Sequence, residues 1–352
     1  MWISHPYFLS VVKASWSNEI DGDPAFTFMQ KMKELKRILN DWNWKVFGNV
    51  QVKLKEAEEK VLEAMQVFDN NPFDSVELDE LVKAQNEHAS KEVQLNTLMR
   101  QKSRIKWIKE GAANTNFFHT NLKIRNLRNL ISELEVNDGN VISDQSQIVD
   151  ALIQHFQKIE EQSVNIKEEL LEVVPQLITE EDQKILDVIP STEEIKAIVF
   201  DMDPESTPGP DGFSGIFYRS CWEIIQDDLV AAIQFCWRRR FIPKGMNSSF
   251  LVLLPETQGA RTAKQFRPIG LSNVVFKIFT KIITTRMSSF MAKLISPQQS
   301  AYIKGRSIQE QVLLASELVN EMKTKRRRGN VGLKLDISQA YGSVSWEFLM
   351  KL

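Results

Sequence analysis

At 352 residues, 43% apolar and 26% charged, the chain is long enough for two or three domains with real cores and is not disordered as a whole. Its net charge of −2 divides unevenly: residues 1–200 hold 23 Lys and Arg against 33 Asp and Glu, a net of −10, and residues 201–352 hold 21 against 13, a net of +8, which suits a polyanionic partner. No apolar run reaches the roughly 20 residues of a membrane helix, no secretory leader is evident, and two cysteines make no disulfide framework, so the expectation is an intracellular chain, nuclear or cytoplasmic, with no membrane partner.

Residues 25–47 have the periodicity of an amphipathic helix, with Phe28, Met32, Leu35, Leu39 and Trp42 on one face. Gly48 breaks it. Leu54, Ala57, Val61, Ala64 and Phe68 then keep a 3-4-3-4 spacing, a two-heptad seam. The turn Asn70-Asn71-Pro72 leads to a second helical run over about 75–109, so the two helices should pack antiparallel. Lys102, Arg104, Lys106 and Lys109 interleave with Ile105, Trp107 and Ile108. That pattern suits a nucleic-acid backbone and equally a basic helix C-terminus.

Residues 131–143 alternate apolar and polar around Asn137-Asp138-Gly139-Asn140, a β-hairpin signal. Helices are expected at about 144–160 and 191–201, with an acidic linker between them. TPGPDGFSG, 207–215, is a loop restrained by its prolines. A helix over about 214–239 follows and carries both cysteines, Cys221 and Cys236, roughly 22 Å apart along its axis and so too far to bridge. Phe250–Leu254 reads as a strand closed by Pro255, 276–291 and 308–323 as helices, and Val331, Leu333 and Leu335 as a last strand that presents Asp336. The four histidines lack metal-ligand spacing, and Asp227-Asp228 sits inside a helix.

A carboxylate at the end of a strand is a means of fixing magnesium, which is held by one or two carboxylates plus substrate phosphates. Six blocks put Asp336 in context: QKSRIKWIKEGAANTNFFH, TPGPDGFSG, NSSFLVLLPE, FRPIGLSNVVFKIFTKIITTRM, SPQQSAYIKGRSI and KLDISQAYGSVSWEFL. In this order they resemble the reverse transcriptase of plant LINE-type (non-LTR) retrotransposons. The resemblance implies an α+β, predominantly helical chain. Residues 1–115 would be a helical connecting region with long antiparallel helices, and 116–187 a β-hairpin plus helical linker. Residues 188–352 would be the fingers and the start of the palm of a right-hand polymerase, truncated within the palm.

It also implies site residues. Asp336 matches the first catalytic and metal-binding aspartate, Arg267 the arginine on the incoming triphosphate, and Tyr341 the aromatic under the sugar. Gly209, Asp211 and Gly212 of the Pro-Gly loop, with Tyr302, Gly305 and Arg306, match blocks near the template. Magnesium, an RNA template and a DNA primer are implied with them, and no small-molecule cofactor. Four positions depart from the family pattern: Glu256 stands for Lys, Gly342 for Asp, Arg240 for Gly and Ala112 for Asp. No Tyr-x-Asp-Asp turn occurs in the sequence. The resulting expectation is a fragment that is inactive alone. Non-catalytic binding of RNA or DNA, or a helical interaction protein, are the alternatives.

Overall fold

The computed structural model describes residues 2–103, 115–136, 139–160, 168–301, 303, 305–324, 331–333 and 345–351. They are predominantly helical and form two compact units, Met1–Leu130 with Asp203–Phe235, and Ile131–Met202 with Cys236–Leu352.

The first unit starts with α1 (Phe8–Trp16) and α2 (Pro24–Val46). Asp23 starts α2: its carboxylate accepts the Phe26 N–H at 2.9 Å, and Pro24 occupies the first turn, where a missing N–H costs nothing. The stripe read from the sequence is the core face, with Phe28, Met32, Leu35 and Leu39 all buried. Each such side chain contributes about 1.5–3 kcal/mol on burial. Gly48, at φ +59°, turns the chain out of α2 in a conformation that glycine adopts without strain. Asn49 then caps α3 (Val50–Asn70) by accepting from the N–H groups of Gln51 and Val52.

Helices α3 and α4 (Ser75–Ser103) pack as the expected hairpin. Ala57 is buried in the seam, and Leu54, Val61, Ala64 and Phe68 are half-buried. Helix α5 (Thr115–Asn129) packs on α4, and a cluster of Phe47, Val50, Leu95, Met99 and Phe118 fills this end of the unit. The helix expected over 214–239 is two helices, α10 (Gly215–Ser220) and α11 (Trp222–Arg239), because Cys221 leaves helical geometry at φ −102°, ψ 11°. Asp228 on α11 accepts from the Trp16 indole at 2.7 Å and from Lys31 at 2.8 Å. That carboxylate holds helices together.

In the second unit, β1 (Leu134–Glu135) and β2 (Val141–Ile142) form the expected hairpin, with Gly139 at φ +73°. Helix α6 (Gln145–Glu160) is capped by Asp144, which accepts from the N–H groups of Ser146 and Gln147. The acidic stretch carries two short helices, α7 (Glu168–Glu172) and α8 (Glu180–Asp187), followed by α9 (Thr192–Asp201).

The last turn of α11 belongs to this unit. The Phe241 N–H reaches the Cys236 carbonyl and the Arg240 N–H the Trp237 carbonyl, a Schellman-type stop whose left-handed position usually falls to glycine. Here Arg240 occupies it, at φ 51°.

Next come β3 (Ser249–Pro255) and β4 (Phe266–Ser272), antiparallel from Ser249↔Ser272 to Pro255↔Phe266. Strand β4 was not expected from the sequence. Pro268 and Gly270 weaken its strand signal, and its register partner β3 supplies what propensity does not. Phe266 and Leu253 turn inward to Leu134, Ile148 and Leu152. Helix α12 (Val274–Met287) packs on α8 and α9, and α13 (Met291–Leu294) follows. Helix α14 (Ile308–Met322) is amphipathic, yet none of its residues is buried. Helix α15 (Trp346–Lys351) comes last. Val331 and Leu333, expected in the final strand, lie outside any strand and are exposed.

Candidate nucleotide and nucleic-acid site

Asp336 and Tyr341, the expected metal ligand and sugar contact, lie outside the described residues, as do Tyr302, Gly342 and Ala112. Among the described residues no three His, Cys, Asp or Glu converge as a metal site. The geometry that can be read is that of Arg267, of the Pro-Gly loop and of the Gly305-Arg306 turn.

Arg267 stands on β4 opposite Leu254. Directly paired residues of an antiparallel ladder share a face and alternate residues return to it. Leu254, Glu256, Ile269 and Arg267 therefore share one face, opposite to Leu253 and Phe266. The Arg267 side chain is 73% exposed, and its Nε donates to Glu256 Oε1 at 2.9 Å. Glu256 is one of the departures from the family pattern. The structure brings it into direct contact with the arginine that the resemblance assigns to the triphosphate. The Glu256 N–H is itself fixed to the Gln265 carbonyl at 2.9 Å.

In the first unit, the Pro-Gly loop is held by its own sequence. The Gly212 N–H closes a turn on the Gly209 carbonyl at 3.0 Å, with Gly212 at φ +84°. Asp211 Oδ1 accepts the Phe213 N–H at 3.1 Å, and Lys36 donates to the Pro210 carbonyl at 3.0 Å. Phe213 is buried against Phe217, with ring centroids 4.4 Å apart. Gly209 is buried and Gly212 exposed. Gly215 allows α10 to approach the preceding chain: a Cβ there would lie 2.9 Å from the Asp203 carbonyl oxygen. Burial pushes the Tyr218 phenol well above its ordinary pKa, and the nearby Asp211 carboxylate adds to the rise. Tyr218 is thus a fixed neutral group in the described geometry.

This loop forms one wall of a cavity of about 1030 Å³ within the first unit, lined also by Trp2, Trp44, Phe47, Arg100 and Lys102. Aromatic faces beside cations are the combination that takes bases and phosphates together. The charge tally of the first 200 residues conceals it. Between Arg100 and Arg128 there are eight Lys and Arg and one acidic residue, Glu110. Arg104, Lys106, Trp107 and Lys109 lie outside the described residues. Lys123, Arg125 and Arg128 are exposed on α5. The basic pattern read from the sequence over residues 102–109 does not include these three. A running charge count across the hairpin boundary would have found them.

Arg306 has a different place. Its guanidinium donates to the carbonyls of Ser296 and Gln299 at 2.6 Å and of Ile295 at 3.1 Å, so it closes the loop in which it sits. Gly305, at φ +84°, makes the turn that allows this. Sequence pattern alone does not separate such an arginine from one that faces a phosphate.

Comparison with known proteins agrees with the sequence resemblance at the level of the polymerase segment. Residues 254–352 match the family model of reverse transcriptase (RNA-dependent DNA polymerase). The chain is 24% identical over 327 residues to the Transposon TX1 uncharacterized 149 kDa protein of Xenopus laevis, covering 90% of this chain and 24% of that one. It is 24% identical over 154 residues to a Pol polyprotein of the type-1 retrotransposable element R2 of Nasonia vitripennis, covering 44% of this chain and 14% of that one. It is 27% identical over 152 residues to that of element R1 of Bradysia coprophila, covering 42% and 15%. The chain therefore spans about a quarter or less of the length of these curated relatives. Residues 254–352 are a reverse-transcriptase segment of the non-LTR retrotransposon type.

Proposed function

We propose that this chain is the template- and nucleotide-handling front of an RNA-directed DNA polymerase of a retroelement of the plant LINE type. Residues 188–352 would supply fingers and the start of the palm, and residues 1–115 and 116–187 would connect to them. The observation that carries the reading is the reverse-transcriptase match over 254–352, a segment in which Arg267 is exposed on the open face of the β3–β4 hairpin.

In this reading Arg267 meets the incoming triphosphate, for which its forked donors are suited. Tyr341 lies under the sugar and excludes a ribose 2′-hydroxyl by bulk. Gly209, Asp211 and Gly212 border the template, the exposed Gly212 by letting the backbone approach closely and the buried Gly209 by closing the turn behind it. Tyr302 and Gly305 lie along it, and Arg306 shapes the loop that carries them. Asp336 would hold magnesium, which when bound neutralises phosphate charge in nucleotidyl transfer.

The test is an RNA template annealed to a DNA primer. The 352 residues should bind it with an affinity that falls steeply as salt rises, because phosphate contacts release counterions. They should add no deoxynucleotide, since Asp336 is the one carboxylate the motifs assign within them. Binding that is absent at low salt or flat in salt counts against a nucleic-acid role. Measurable incorporation counts against inactivity.

A second reading, binding without catalysis, rests on its own observation. The Arg100–Arg128 run and the aromatic-lined cavity belong to the first unit, away in sequence from the polymerase match. Reversing charge at Lys123 and Arg128 together should weaken RNA binding and lower its salt slope by about two. Equal loss for all RNA sequences would mark these as phosphate contacts.

A further inference from the structure

We propose that Glu256 is a brake on anion binding at Arg267: its carboxylate occupies the guanidinium and sets the affinity of the site for a nucleoside triphosphate. The inference rests on the reading of Arg267 as the triphosphate contact and adds the residue that regulates it.

Three observations support it. The first is register. Arg267 pairs with Leu254, and Glu256 is two residues beyond Leu254, so strand parity brings both charged groups to one face. The second is the contact, Nε to Oε1 at 2.9 Å, a charge-assisted hydrogen bond. The third is the unequal setting of the partners. The Arg267 side chain is 73% exposed and the Glu256 side chain 32%. The arginine is open to a ligand, while the carboxylate is partly covered and its backbone is anchored.

That anchoring has several parts. The Glu256 N–H donates to the Gln265 carbonyl at 2.9 Å. The Gln265 side chain in turn accepts from the N–H groups of Arg261 and Thr262 at 2.8 and 3.1 Å, which fastens the far side of the loop. The neighbouring cation Arg261 faces Glu133 at 3.8 Å. Glu256 therefore does not swing away with a loose loop. An incoming triphosphate must share Arg267 with the carboxylate and bear its repulsion, and the pair as a whole presents no net charge to it. An exposed pair in water is a weak interaction, so the brake is graded and weakens binding without abolishing it.

The experiment is a calorimetric titration of the 352-residue chain with dTTP, for the wild type, Glu256→Gln, Arg267→Gln and the double variant. Both positions are on the surface, so all four proteins should fold. Glu256→Gln should tighten binding about three- to tenfold, and the gain should vanish when Arg267 is also replaced. If Arg267→Gln weakens binding while Glu256→Gln leaves it unchanged, the brake is overturned and the reading of Arg267 stands. If the Glu256→Gln gain persists without Arg267, the brake is likewise overturned, and if Arg267→Gln leaves binding unchanged, or none of the four binds dTTP saturably, the reading of Arg267 fails and the brake with it.

Discussion

Arg286 and Arg267 lie in the same unit and differ in nearly every physical respect. Arg286, on α12, has a largely covered side chain, 8% of it exposed. Its guanidinium forks onto Glu194 at 2.8 and 2.6 Å, reaches the carbonyls of Ile185, Leu186 and Val188, and lies 5.1 Å from the centre of the Trp237 ring. It closes the end of α8 and ties it to α9. Arg267 has one carboxylate partner and faces solvent. One arginine is consumed by the fold and the other is available, and only neighbours distant in sequence tell them apart.

The sharpest break of that contrast is Arg286→Met. It leaves Glu194 and three carbonyls without their donor and should cost about 3–5 kcal/mol, read as a lower urea midpoint. Arg306→Ala is next. It releases three carbonyls near solvent and should cost about 1–2 kcal/mol, with faster hydrogen exchange over residues 295–306. Arg240→Gly runs the other way. It removes a left-handed non-glycine residue at the price of an exposed ion pair with Asp187, and should raise stability by about 0.5–1 kcal/mol.

A smaller effect belongs to acid. The Thr179 N–H and hydroxyl and Lys293 hold the Asp182 carboxyl below its ordinary pKa. Its contribution is fully present above the ordinary carboxylate range, near pH 4, and is lost as pH falls through its lowered folded value. Asp182→Asn should flatten the acid limb of the unfolding curve in that window and leave the neutral-pH slope alone. Smallest of all, Arg267→Gln should move stability by no more than about 0.5 kcal/mol. A larger loss would mean that Arg267 serves the fold as Arg286 does, and the contrast would collapse.

Elements that carry their own signal were legible in the sequence. The stripe of α2, the α3–α4 seam and the Gly139 hairpin each rest on a local period or a turn residue, and the structure has all three. Strand β4 was not legible, since it exists by virtue of its register with β3. The split at Cys221 and the left-handed Arg240 are backbone facts that residue type does not announce, although Arg240 was marked as standing where the family pattern has glycine. Helix α14 shows the opposite limit. Its amphipathic period predicts a helix correctly and predicts a buried face that the described residues do not provide. Within the candidate site, Arg267 and Glu256 were each noticed separately. Their contact is a product of pairing parity and could not be read one residue at a time.

That parity also restricts how the hairpin can vary. A slip of one residue along β4 would send Arg267 to the side where Phe266 and Leu253 meet the core, and would bring an apolar residue out in its place. The charge on the outer face and the filling of the interior are thus one setting of the ladder. Length changes confined to the exposed residues 257–259 leave that setting intact, while a single inserted or deleted residue within Ser249–Pro255 disturbs both at once. Tolerance of the one and intolerance of the other is the pattern that a scan of insertions across this segment should return.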